Sequence, residues 1–224
     1  MWRLPTTGNA FPRWVLEKML PIPLEHYDHM AADTYLTHIG ALYGPVKFID
    51  EVGAQYRPHG ANSYEYAMPT LALDRVRLDI HLALCTHHEL RRTARALGVT
   101  AMVSELGMLS TSFVINRLIS LKLDPLHHPV ARDSRAMLVL LGFRSVQRRF
   151  DVSPPMKGLY MAWFVLMALA PRHVARRLAE RVMYPQTRSW LAPIVLPVAF
   201  GTAMRSAAAN HPAAIGEAQV MTPE

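Results

Sequence analysis

PTLALDRVRLDIHLALCTHHELRRTARALG, residues 69–98, carries the clearest helical pattern in the chain. Pro69 suits a first turn, where its missing N–H costs nothing. Gly98 suits the left-handed position just past a last turn. Between them Leu71, Val76, Ile80, Leu84 and Leu90 can share one inward side at the 3.6-residue period, with Arg75, Asp79, Arg91 and Arg95 pointing elsewhere. Downstream, a helix is expected from Ser104, a possible N-cap, to Leu123, where Asp124-Pro125 stops it. A third is expected over Val130–Phe150.

Upstream the pattern is looser. Pro5, Pro12, Pro21 and Pro23 punctuate an irregular arm, residues 1–30, with one short amphipathic piece from Trp14 to Leu20. A helix from Ala31 to Tyr43 is expected to break at Gly44-Pro45 and continue from Val46 to Tyr56. Arg57–Met68 reads as a loop. After Pro154-Pro155 come an uncharged run, Leu159–Ala170, an arginine-rich run, Arg172–Arg181, and a last apolar stretch, Trp190–Met204. Alternating strand patterns and hairpin turns are scarce. The expected architecture is therefore all-α: one bundle-like domain of about six to eight helices over residues 1–209, with apolar and basic helices in 154–204 and a disordered tail, 210–224.

Composition narrows the setting. Apolar residues make up 51% and charged ones only 18%, against about a quarter in ordinary soluble domains. Such a chain suits contact with apolar molecules or a membrane surface. The lone cysteine, Cys85, excludes an internal disulfide framework. Met1-Trp2-Arg3-Leu4-Pro5 lacks the apolar run of an export signal. A cytoplasmic location, possible at the membrane periphery, is the economical expectation.

From Arg144 to Arg188 nine basic residues face two acids, which accounts for the whole net charge of +7. Leu159–Ala170 would rise only about 18 Å as a helix, too short for a hydrocarbon core of about 30 Å. Two readings remain open. The apolar segments are buried core, or Met161, Trp163 and Phe164 sit at a bilayer interface with Arg172, Arg176, Arg177 and Arg181 against anionic headgroups. No aromatic-basic interleaving or zinc spacing accompanies the cluster, so nucleic acid is not the expected partner.

Eleven histidines give the chemical lead. His81 and His88 lie seven apart, two turns along one helical face, flanked by His87 and Glu89. Neutral imidazole is the commonest metal ligand, so this face could hold a transition metal or a haem, with Arg75, Arg77 and Arg91 near haem propionates. A histidine on a helix is more often plain core or surface. Glu25, His26, Asp28 and His29 form a second cluster; His127-His128, between prolines, reads as loop surface. The motifs of hydrolases, nucleotide binders and zinc proteases are absent. Cys85, among apolar neighbours, reads as a buried small hydrophobe rather than a nucleophile.

The order Arg75-Val76-Arg77-Leu78 with His81, then Ala96-Leu97-Gly98-Val99, the Leu109–Leu123 helix and Leu141-Gly142-Phe143, resembles the MpaB-type and rubber-oxygenase (latex-clearing) family. The block from Pro154 to Pro185, with Ala170-Pro171 and Met183-Tyr184-Pro185, is similar to that family's C-terminal part. The resemblance implies an all-α oxygenase carrying haem b, acting on an isoprenoid or other apolar chain, with His81 as axial ligand. Three functions follow as expectations: a haem- or metal-dependent oxidoreductase, a non-catalytic membrane-peripheral or lipid-binding protein, and a helical partner of another protein.

Overall fold

Helix is the only regular structure among the residues described by the computed structural model, 9–27, 32–47, 71–99 and 110–183. In chain order the elements are α1 (Arg13–Met19), α2 (Leu24–Tyr27), α3 (Ala32–Gly40), α4 (Leu73–Ala96), α5 (Thr111–Leu123), α6 (Arg135–Gln147), α7 (Pro154–Leu169) and α8 (Arg172–Met183). A 3-10 turn, Pro125–His127, follows α5. The expected all-α architecture is what the chain adopts.

α5 is the axle. Thr111 and the eight residues from Phe113 to Ser120 are all buried, because α4, α6, α7 and α8 pack around it. Leu118 and Ile119 are wholly enclosed, each worth roughly 1.5–3 kcal/mol of burial. α4 divides this core from a smaller one. Val76 and Ile80 face α5, whereas Leu82, Leu78 and Leu90 face Val15, Met19, Tyr27, Tyr35 and Ile39 of α1–α3. The single inward side expected of this helix is thus two sides. Leu90 belongs to the second, and Leu84 packs against the first.

The ends of the helices follow local chemistry. α4 closes in a Schellman motif: Val99 N–H reaches Ala94 O at 2.9 Å, Gly98 N–H reaches Arg95 O at 3.2 Å, and Gly98 sits at φ 71°. α6 begins five residues later than expected because Ser134 caps it, its hydroxyl accepting from Met137 N–H at 3.2 Å, while residues 130–133 turn. Pro154 and Pro155 open α7. The expected arm contains two short helices, α1 and α2, rather than one amphipathic piece. Ser104, most of Val46–Tyr56, and Trp190–Met204 lie outside the described residues.

α6 and α7 meet at Gly142. A Cβ there would stand 2.6 Å from the Phe164 ring, so only glycine lets these helices approach this closely. The uncharged run in α7 is divided: Tyr160, Trp163, Phe164, Met167 and Ala168 are buried, whereas Ala162, Val165, Leu166 and Leu169 are exposed. Among the described residues no helix is long and apolar enough to cross a membrane.

Candidate functional site

His81 and His88 do share one face of α4, and both are exposed. They border an open hollow of about 320 Å³ together with His26 of α2, Leu84 and Cys85. The His26 and His88 rings stand edge to face, 6.3 Å between centroids. Cys85 Sγ lies 3.5 Å from His81 Nε2. Burial first, then the nearby Glu89 carboxylate, pushes the Cys85 thiol up from its ordinary value, so it is protonated and unreactive near neutrality. Among the described residues no three His, Cys, Asp or Glu side chains already converge as a metal site. His87 points into a half-buried setting where burial, Arg91 and His88 lower its imidazole pKa and keep it neutral.

Arg75 and Arg77, expected near haem propionates, do not line this hollow and are held by the protein's own carboxylates. Arg75 stands 3.7 Å from Asp79. Arg77 bridges Asp74 at 2.8 Å and Asp124 at 2.5 Å, tying α4 to the end of α5. Asp124 is correspondingly held below the usual carboxylate range, by His127 first and by Arg77.

The basic C-terminal cluster is divided by the structure. Trp163, expected at an interface, is instead buried, its indole N–H donating to Leu178 O at 3.2 Å; Phe164 is buried beneath it, because α8 and α6 cover that side of α7. The surface of α7 is made by Ala162, Val165, Leu166 and Leu169, spaced to form one outward stripe. Leu166 is 55% and Leu169 79% exposed. α8 buries Ala175, Ala179 and Val182. Its outward side carries His173, Arg177 and Arg181, with Arg172 on the flank. Arg176 is turned back onto the fold, 3.4 Å from Glu180 and donating to Leu71 O at 3.3 Å. Arg149 is neutralised by Asp151, and Lys157 caps α6 through Gln147 O at 3.0 Å. An apolar stripe therefore runs into a basic corner where α7 meets α8.

One arrangement was not legible as a site. His128 is not loop surface: its side chain is 3% exposed. Its Nε2 lies 3.0 Å from Asp133 Oδ2 and its Nδ1 3.1 Å from Ser120 Oγ. Asp133, fully buried, also takes a bidentate pair from Arg117, whose guanidinium stacks on Phe113 at 5.1 Å. Ser120 is wholly enclosed, so this Ser-His-Asp chain has no access to a substrate and works as a buried lock between α5 and the turn before α6. Its only sequence signal is Asp133 before a helix cap. The partners come together only in three dimensions.

Set beside known proteins, the chain matches no family model, no curated protein and no solved structure.

Proposed function

We propose that this is a helical protein that docks peripherally on anionic membranes through the α7–α8 corner and handles apolar molecules there. The observation that carries the reading is the uncharged outward stripe ending at Leu166 and Leu169 beside the exposed Arg172, Arg177 and Arg181. Apolar side chains at such an edge enter the headgroup boundary, and each nearby basic residue adds about 1 kcal/mol on an anionic leaflet. The free, buried Cys85 thiol suits the reducing, cytoplasmic face. Flotation with phosphatidylglycerol vesicles at low salt tests it. The double variant Arg177→Glu, Arg181→Glu is expected to weaken binding about thirtyfold, and Leu166→Ser with Leu169→Ser to abolish retention at higher salt. Wild-type protein that stays at the bottom of the gradient overturns it.

A second reading has its own observation, the 3.5 Å approach of Cys85 Sγ to His81 Nε2. Under it the protein is a metal-dependent oxidoreductase acting on an apolar substrate at the membrane. Thiolate and imidazole would supply two donors, and a rotation of His88 or His26 would supply a third. The hollow suits a single ion better than haem b. A haem would need Arg75 and Arg77 released from Asp79 and Asp124 and a deeper cleft than about 320 Å³ of open space. Cobalt loading should give a thiolate-to-metal absorption lost in Cys85→Ser. A haem held by His81 would give a Soret band on haemin addition, lost in His81→Ala. Protein that takes up neither is not an oxidoreductase of this kind.

A further inference from the structure

A second cavity, of about 470 Å³, opens between the end of α5, the start of α6 and the start of α8, lined by Leu121, Lys122, Asp133, Ser134, Arg135 and Arg172. It falls within the roughly 300–1,000 Å³ of ligand clefts. Three cations meet here, and the carboxylate in the wall does not balance them. Both Asp133 oxygens are already held, Oδ1 by Arg117 and Oδ2 by Arg117 and His128. Among the described residues the only acceptor that Lys122 and Arg135 reach is neutral: Lys122 Nζ lies 2.9 Å and Arg135 Nη1 3.4 Å from Ala168 O. The Lys122 ammonium is pushed down from its ordinary value by burial, then by Arg135 and Arg172, as expected of like charges gathered without an anion. Uncompensated cations lining a concave wall are what phosphate recognition uses.

We infer that this cavity binds a phosphate group, through Lys122, Arg135 and Arg172. The shared chemistry is a phosphomonoester dianion, borne by a lipid headgroup or a small soluble molecule. Ala168 immediately precedes the exposed Leu169, so the cavity borders the proposed docking edge. The headgroup form of the inference rests on the membrane reading; phosphate binding itself does not.

The full chain is titrated with inorganic phosphate at constant ionic strength, held with chloride, and followed by thermal melting and phosphorus NMR. A saturable rise in melting temperature is expected, with affinity weakened about tenfold or more in Arg172→Ala and in Lys122→Gln. Arg172 is exposed, so its variant keeps the fold if Lys122→Gln does not. Vesicles of phosphatidic acid and of phosphatidylglycerol at equal charge form the second arm. Preference for phosphatidic acid, lost in Arg172→Ala, assigns the site to a headgroup; phosphate binding with no such preference assigns it to a soluble phosphate. Absence of any phosphate-specific shift overturns the inference, and leaves the membrane reading standing if the vesicles still float the protein. Phosphate binding without flotation removes the membrane reading and keeps the site.

Discussion

The two sides of α4 are built differently. Toward α5 the helix joins a core of eighteen buried residues that runs through to α8, stiffened by the enclosed Arg117–Asp133–His128 chain. Toward α1–α3 the core it joins has six, Leu82 of α4 among them, and the polar groups there are lighter: the Tyr27 hydroxyl donates to Thr86 at 3.1 Å, and Tyr35 to Met19 O at 3.1 Å. The histidine hollow lies on the thin side, where α2 has four residues. The phosphate cavity lies on the thick side, among helices of twelve residues or more. Ligand groups on the thick side are preorganised, whereas His26 and His88 rest on a part of the molecule that opens at lower cost.

The comparison is broken most readily at its strongest point. Arg117→Met strands a buried carboxylate, and urea unfolding should show a loss of about 3–5 kcal/mol; a loss below about 1 kcal/mol would mean the thick side owes little to its polar lock. Gly142→Ala forces a methyl into the Phe164 ring and is expected to cost about 1–3 kcal/mol by the same assay. On the thin side, Tyr27→Phe removes one donor while Thr86 keeps its own bond to Leu82 O, so about 0.5–1.5 kcal/mol is expected. Equal costs for Tyr27→Phe and Arg117→Met would erase the contrast. The smallest effect is kinetic. Because alkylation needs the thiolate and the Cys85 thiol is raised, its rate with iodoacetamide should keep climbing with pH beyond the point where an ordinary thiol levels off. A plateau near neutrality would mean the hollow is wetter or more cationic than this geometry allows.

Much of the helical layout was legible because its signals are local. Gly98 ends α4 where a left-handed residue is needed, and Pro154-Pro155 opens α7. What was not legible depends on partners distant in sequence. In an uncharged run such as Leu159–Ala170, composition does not say which side is covered, so burial and interface placement of Trp163 and Phe164 both stay open in the sequence; the fold buries them and leaves Leu166 and Leu169 outside. His127 and His128 are neighbours in a Pro-flanked pair, yet the first is exposed and the second enclosed, because only His128 meets Ser120 and Asp133. That His81 and His88 share one side of α4 follows from their spacing alone. Its third imidazole, His26, came from the Glu25–His29 cluster, and nothing in the spacing joins the two across α2 and α4. Lys122 and Arg135 escaped notice because each is an isolated charge until the ends of α5, α6 and α7 come together.

Gly142 has a mechanical consequence. With the Phe164 ring set against bare backbone at Gly142, any shift of α7 along α6 must carry an aromatic face across main chain at that point, with no side chain of residue 142 to yield.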